Sequence, residues 1–363
     1  MIASPRFQRW AATSPLTRRI SRRRARALFD LCAGFVYSQV LLACVRLGVF
    51  ELLSNGPRAV EALAGPLGLA PEAARRLLRA AAALGLTRAL PGDRFALGDL
   101  GAALLGNPSV MALVEHHGLL YDDLRDPVAL LRGETQSRLS RFWPYAGDAP
   151  GAGADPGEAT APAEGYAAYC DLMSQSQALV AEDILDAYPV RGHRRLLDVG
   201  GGEGVFIAAA AARAPSLELT LFDLPPVVAS ARRRLAAQGL DARVATVGGS
   251  FLRDPLPAGA DLVSLVRVVH DHDDESVRAL LRAVRAALPS GGRLMIAEPM
   301  AQTRGAEPMG DAYFGFYLRA MGRGRPRSAA ELTRLLAEAG FVRIKVRATA
   351  RPLLATLIIA DHV

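Results

Sequence analysis

Apolar and polar positions alternate along this chain in two different rhythms. From residue 27 to about 105 the rhythm is helical, with Leu28, Leu31, Phe35, Leu42, Val45 and Val49 spaced to share one face. Residues 60–64 and 71–79 read as two shorter helices, the second with Pro71 where a proline suits a first turn. Residues 85–90, a Pro-Gly-Asp turn and residues 94–97 read as two short strands. Helix, helix, hairpin is the order of a winged helix, and it predicts a helical, winged-helix-like N-terminal domain.

From Arg195 the rhythm changes. Strands are predicted at 195–199, 217–222, 243–247, 262–268, 293–298, 342–347 and 354–360, with helices at 205–214, 227–238, 275–288 and 329–339. Repeated strand–helix units predict a doubly wound, parallel α/β sheet covered by helices. Residues 146–165, AGDAPGAGADPGEATAPAEG, carry no periodicity and read as a linker. A helical pattern resumes from Tyr166 to Tyr188. The expected organisation is an arm over 1–26, a helical domain over 27–145, the linker over 146–165, and an α/β domain over 166–363.

Composition narrows the picture. The chain has 363 residues, 51% of them apolar, enough for two cores. Cys32, Cys44 and Cys170 are odd in number and widely spaced, which predicts buried thiols in a reducing compartment rather than disulfides. No secretory signal follows the basic N-terminus, and no uninterrupted apolar run reaches the roughly 18 residues of a membrane span. A cytoplasmic protein, at most peripheral to a membrane, is expected. The net charge of +7 is unevenly placed: Arg6, Arg9, Arg18, Arg19, Arg22, Arg23, Arg24 and Arg26 all precede the first acid, Asp30. Such an arm suits anionic lipid or nucleic acid, or is a solvated tail. A winged helix can read DNA, and Arg75, Arg76 and Arg79 lie on its second helix. The rest of that helix is mostly alanine and leucine, poor material for base recognition.

The residues that carry chemistry cluster in the α/β half. Asp198-Val199-Gly200-Gly201-Gly202-Glu203-Gly204 ends the first strand and opens a helix. Glycines there let the backbone approach a ligand, although the same run could be a tight turn that binds nothing. A dinucleotide site wants glycine at the sixth place counted from Gly200, where this chain has Val205. Asp198, two residues before the first glycine, suits a ligand with an ammonium group and no pyrophosphate, such as S-adenosylmethionine. Asp223 ends the second strand about 20 residues on, where a carboxylate accepts hydrogen bonds from ribose hydroxyls.

His270 follows the fourth strand in Arg267-Val268-Val269-His270-Asp271-His272-Asp273-Asp274, on the sheet edge where open α/β folds bind ligands. Histidine suits proton abstraction near neutral pH. A surface histidine beside a helix capped by Asp273 or Asp274 is the plainer reading. H-x-H-x-D also resembles a metal-ligand run, but only His362 remains downstream to complete one, and no metal is expected. Glu298 ends the fifth strand near the same edge and could orient the imidazole.

At these residues the chain resembles the small-molecule O-methyltransferases of the caffeate and hydroxyindole type. The likeness runs through VRLGVFELL (45–53) and RLLR (76–79), then DVGGGEG, FDLP, VVHDHDDE and AEPM. It implies a Rossmann-like methyltransferase sheet, an N-terminal dimerisation module and hence a homodimer, S-adenosylmethionine as cofactor, and no nucleic-acid role. By the same resemblance, Asp198, Gly200 and Gly202 hold the methionine part of the cofactor and Asp223 and Leu224 the ribose. Ser250 and Phe251 lie near the adenine, where the family usually has Gly-Asp-Phe, so Ser250 departs from the pattern. Arg267 replaces a common lysine at the cofactor site. His270 falls on the catalytic base and Glu298 on one of its two flanking acids. The second acid is expected among residues 324–328, where Pro326 stands, so Glu298 is left to orient His270 alone.

The stretches LFDLPPVVASARRRL, RVVHDHDDESVRALL and AEPMAQTRGAEPMGDAYFGFYLRAMGRGRPRS resemble one branch of that family, the enzymes that methylate the tertiary hydroxyl of an acyclic carotenoid. This implies a hydroxyneurosporene- or demethylspheroidene-like acceptor and a place in spheroidene-type carotenoid biosynthesis in photosynthetic bacteria. An aromatic or polyketide hydroxyl, or a non-enzymatic winged-helix regulator, are the alternatives. Met173, Tyr313, Phe314, Phe316, Tyr317 and Met321 are candidates for an apolar acceptor pocket, or equally for plain core.

Overall fold

The computed structural model describes residues 3–142 and 177–363, and two compact units divide at Glu115 and His116. Met173, Cys170 and the proposed linker lie outside the described residues.

The first unit is helical with a small sheet. It holds α1 (Pro5–Thr13), α2 (Arg18–Arg46), α3 (Val49–Leu53), α4 (Val60–Ala64), α5 (Pro71–Ala83) and α6 (Asp99–Leu105), and the first turns of α7 (Pro108–Asp123). Ser14 precedes Pro15 and takes an extended ψ of 130°, which breaks α1 from α2. Strands β1 (Arg58–Ala59), β2 (Thr87–Leu90) and β3 (Arg94–Leu97) form an antiparallel sheet in the order β1-β3-β2. The turn between β2 and β3 takes positive φ at Gly92 and Asp93, the hand that suits a twisted hairpin. Phe50, Leu53, Leu63, Leu78 and Phe95 fill the core. The expected helix, helix, hairpin order is present as α4, α5, β2 and β3. Arg75, however, pairs with Asp93 at 2.5 Å and Glu72 at 2.8 Å, and Arg79 with Asp93 at 3.4 Å. Arg76 also reaches Glu72 at 3.9 Å, so all three arginines that could have met phosphates are already matched by acids. Cys44 is buried as expected, but Cys32 is exposed.

Helix α2 also amends the hydropathy reading. Asp30, Ser38 and Gln39 interrupt its apolar run, yet by length and composition it is long and apolar enough to cross a membrane.

The second unit continues with α8 (Pro127–Arg132), α9 (Leu139–Phe142) and a helix α10 through residues 177–187. Then come β4 (Arg195–Val199), α11 (Val205–Arg213), β5 (Glu218–Asp223), α12 (Pro225–Ala237), β6 (Val244–Gly248), β7 (Leu262–Val266), α13 (Asp274–Ala287) and β8 (Arg293–Glu298). A π-helical turn over Pro308–Tyr313 runs into α14 (Phe314–Met321), followed by α15 (Ala329–Glu338), β9 (Val342–Ala348) and β10 (Thr356–Asp361). Every predicted strand and helix from 195 onward is present within two residues at each end.

The sheet order is β6-β5-β4-β7-β8-β10-β9. The first five strands run parallel, but β10 is antiparallel to both neighbours, β8 and β9, which corrects the all-parallel expectation. Two apolar layers cover the faces. One is built on Ile184, Phe206, Ile207 and Leu221, the other on Val263, Leu280, Leu281 and Leu336. Because β4, β5, β7 and β8 are parallel, their carboxyl ends meet at one edge, and the candidate residues lie there.

Candidate active site

A cavity opens at that edge, walled by residues 200–203, Asp223, Leu224, Gly249, Ser250, Phe251, Arg267, His270, Asp271, His272 and Arg323. The glycine run supplies its floor. Gly200, Gly202 and Gly204 take φ of +70°, +56° and +79°, values that disfavour any side chain. A Cβ on Gly200 would also stand 2.6 Å from Val268. The Gly202 N–H donates to Asp223 Oδ2 at 2.8 Å and the Leu224 N–H to Asp223 Oδ1 at 2.7 Å, so the strand-end acid is locked against the loop.

Two acids face this loop, Asp198 buried and Asp223 half-buried. Ser264 Oγ donates to Asp198 Oδ1 at 2.5 Å, while Asp198 Oδ2 is buried with no hydrogen-bond partner among the described residues. Burial pushes the Asp198 carboxyl up to about 7, against the Ser264 hydrogen bond, with the Asp223 charge adding to the rise. Burial likewise lifts Asp223 to about 6, opposed by its two backbone donors. An unpartnered carboxylate oxygen, a second acid and a loop with three left-handed glycines fit a cationic ligand brought close to backbone, as S-adenosylmethionine is.

On the far wall, the short turn Val269–Asp271 presents His270. Its Nδ1 is in direct hydrogen-bond contact with Glu298 Oε2, and Glu298 Oε1 accepts the Val268 and Val269 N–H groups at 3.0 and 2.6 Å. The other ring nitrogen, Nε2, stands 3.1 Å from Asp271 Oδ1. All three residues are buried. Burial alone would lower the imidazole, but the Asp271 and Glu298 carboxylates outweigh it and push His270 up to about 10. The acid opposite Glu298 is therefore Asp271, the next residue in the chain, and not one from 324–328.

That later segment serves the site differently. Gly324 takes φ +76°, and a Cβ there would stand 2.1 Å from the His270 carbonyl oxygen. The Arg325 N–H donates to the same carbonyl at 3.0 Å. Arg327 is buried and donates from Nη1 to the Val269 carbonyl at 2.8 Å and from Nη2 to the His272 carbonyl at 2.8 Å. Its Nη2 also reaches Asp274 Oδ1 at 2.6 Å. Where an acid was expected, a guanidinium clamps the turn that carries the histidine.

The remaining candidates divide. Ser250 and Phe251 line the cavity, with the Ser250 N–H held by Asp254 at 2.8 Å and Phe251 edge-on to His272. Arg267 lines it with φ +57°, its guanidinium 6.0 Å from the Phe314 ring centre. Phe314 in turn lies 5.6 Å from the His270 ring, and Tyr313 stacks on Tyr317. Phe316 is half-buried on α14, and Met321 is wholly buried with Leu120, Leu130 and Leu139, which makes it core. Sequence reading missed His116 and His117 at the start of this unit. Their Nε2 atoms meet the Tyr317 and Tyr313 hydroxyls at 2.7 and 2.8 Å. Burial and the neighbouring His117 lower His116 to about 4, so it is neutral, and burial lowers His117 as well. The one available signal was two adjacent histidines inside an apolar helix.

Family comparison decides the chemistry. An O-methyltransferase domain matches residues 121–342 and an O-methyltransferase dimerisation domain matches residues 29–107. The chain belongs to the O-methyltransferase family. This O-methyltransferase is 49% identical to the demethylspheroidene O-methyltransferase of Cereibacter sphaeroides over 99% of its own length and 93% of the relative's. With the enzyme of the same name from Rhodobacter capsulatus it shares 42% identity over 96% and 85%. Among solved structures, a methyltransferase of calicheamicin biosynthesis with bound SAH superposes with a TM-score of 0.78 at 27% identity, covering 94% of this chain and 98% of that one. The O-methyltransferase thus uses S-adenosylmethionine, and its first unit holds the dimerisation domain.

Proposed function

We propose that this enzyme transfers a methyl group to the tertiary hydroxyl of an acyclic carotenoid of the demethylspheroidene type, in carotenoid biosynthesis of a photosynthetic organism. The observation that carries the reading is 49% identity over nearly the whole chain, N-terminal arm included, with a relative named for that acceptor. We place it as a homodimer in the cytoplasm, working against the membrane that dissolves such an acceptor. Purified enzyme given S-adenosylmethionine and the carotenoid should yield a product one methyl group heavier by mass spectrometry. S-adenosylmethionine binding with no such product would refute the acceptor.

The geometry supports a division of labour. When bound, S-adenosylmethionine supplies a methyl group already activated on a sulfonium. Asp198, Gly200, Gly202, Asp223 and Leu224 hold it, with Ser250, Phe251 and Arg267 along the same wall. On the acceptor side, Phe314 stands 5.6 Å from the His270 ring, with the Tyr313 and Tyr317 rings 5.1 and 6.3 Å from it and the half-buried Phe316 on the same helix. A tertiary alcohol is too weak an acid to ionise first, so His270 Nε2 takes the proton as the carbon–oxygen bond forms. Glu298 keeps Nδ1–H fixed as donor and so aims Nε2 outward. Asp271 holds Nε2 until the hydroxyl displaces it.

Asp198 and Asp223 give a pH prediction. Their raised pKa values mean that acidification protonates them and weakens a site built for a cation. Calorimetric affinity for S-adenosylmethionine should fall at least about tenfold between roughly pH 8 and pH 5. Affinity that is flat or rises on acidification would contradict the assignment of Asp198 and Asp223.

A further inference from the structure

Helix α1 and the first turns of α2 carry no buried residue: none from Arg18 to Cys32 packs into the core of its unit. A bare helix of this kind draws its stability from a partner surface. Its exposed apolar groups are large, with Trp10 at 56%, Leu16 at 90%, Ile20 at 56% and Leu28 at 65% exposure. The dimerisation domain begins at residue 29 and does not reach them.

Charge indicates what that surface is. The eight arginines from Arg6 to Arg26 meet no acid before Asp30 in the sequence, and among the described residues Arg26 pairs with Asp30 at 3.8 Å, both exposed. Helical spacing puts Arg18, Arg22 and Arg26 on one stripe with Arg19 and Arg23 beside it. Ile20, Ala27, Leu28 and Leu31 fall on the other side, with Arg24 among them. In α1 the rings of Phe7 and Trp10 lie 5.7 Å apart, with Arg6 and Arg9 beside them. The corner between the helices is tied by the Thr17 hydroxyl to the Ala11 carbonyl at 2.9 Å, so both stripes belong to one element.

We propose that α1 and the first turns of α2 dock the enzyme on an anionic lipid bilayer, arginines on headgroup phosphates and Trp10, Leu16, Ile20 and Leu28 in the interfacial layer. The docking lies on the surface and does not span. Arginines crowd one end of α2, and at its other end Leu42 is buried and Cys44 belongs to the core of the first unit. Why the enzyme docks rests on the carotenoid reading. That it docks rests on these residues alone.

The test is flotation of the full-length enzyme, without any acceptor, on phosphatidylcholine vesicles with and without phosphatidylglycerol. Binding is expected only with phosphatidylglycerol, and it should be reversed by high salt. Replacing Arg18, Arg19, Arg22, Arg23, Arg24 and Arg26 together by Gln should weaken it by more than about a hundredfold, each arginine near such a surface being worth roughly fivefold. The same variant should bind S-adenosylmethionine like the wild type, which shows that it is folded. If the variant misfolds, wild-type partitioning decides by itself. Wild type that ignores phosphatidylglycerol, that stays bound in salt until detergent is added, or that binds duplex DNA in place of vesicles would overturn the proposal. Binding to vesicles with no carotenoid turnover would leave the docking intact and remove the acceptor.

Discussion

His270→Ala is expected to lower kcat by about 10²–10⁴-fold, the range that positioned general-base help supplies, while S-adenosylmethionine binding stays near wild type. The imidazole lines the cavity wall, with Nε2 3.1 Å from Asp271 and its other nitrogen committed to Glu298. Before it can accept a proton it must be neutral, and the Asp271 and Glu298 carboxylates favour its charged form. Asp271→Asn removes one of them. The His270 pKa should then fall, and the acidic limb of kcat/KM against pH should move to lower pH even if the maximal rate drops. Glu298→Gln should do more damage, because it also leaves the Val268 and Val269 N–H groups with a weaker acceptor. Near-normal turnover in His270→Ala, or an Asp271→Asn profile shifted to higher pH, would dismiss the base assignment.

Arg327→Met is expected to destabilise the second unit by about 2–4 kcal/mol and to lower kcat without touching any group that meets a ligand. The buried guanidinium satisfies the Val269 and His272 carbonyls, which flank His270 in the chain, and ties both to Asp274 at the start of α13. Removing it leaves the His272 carbonyl without that donor and the Val269 carbonyl with the long His272 N–H contact at 3.4 Å, while Asp274 keeps Arg325 at 3.2 Å. A turn that loosens by a fraction of an ångström misplaces the base, and misplacement near 1 Å can cost about 10²-fold. Arg327→Lys should rescue little, because one ammonium cannot reproduce the planar fork. Thermal unfolding together with steady-state rates checks both halves. An unchanged midpoint with full activity would mean the clamp is incidental.

Much of the α/β half was legible because its signals are local. The glycine run, the strand-end acids and the histidine sit where a strand stops, and the topology of parallel strands brings such ends together whatever lies between. The orientation of β10 was not legible. Its residues Thr356–Asp361 are all buried, and a run buried on both faces looks the same read in either direction. The second acid was sought 54 or more residues past His270, in 324–328, when the adjacent Asp271 fills that place. Sequence spacing does not say which carboxylate the turn folds onto the ring. His116 and His117 were invisible for a related reason, since their tyrosine partners lie 201 and 196 residues away. Met321 shows the limit of periodicity: four residues from Tyr317 it shares a helix face, but that face meets Leu120 and Leu139 rather than a pocket.

The measurement that bears most directly on the account is turnover of two acceptors side by side, an acyclic carotenoid with a tertiary hydroxyl presented in detergent micelles and a simple phenol. The account predicts a carotenoid product one methyl group heavier, S-adenosylhomocysteine released in equal amount, and kcat/KM for the phenol lower by orders of magnitude. Efficient methylation of the phenol with the carotenoid untouched would contradict it, leaving the fold and cofactor site in place and moving the acceptor to aromatic hydroxyls.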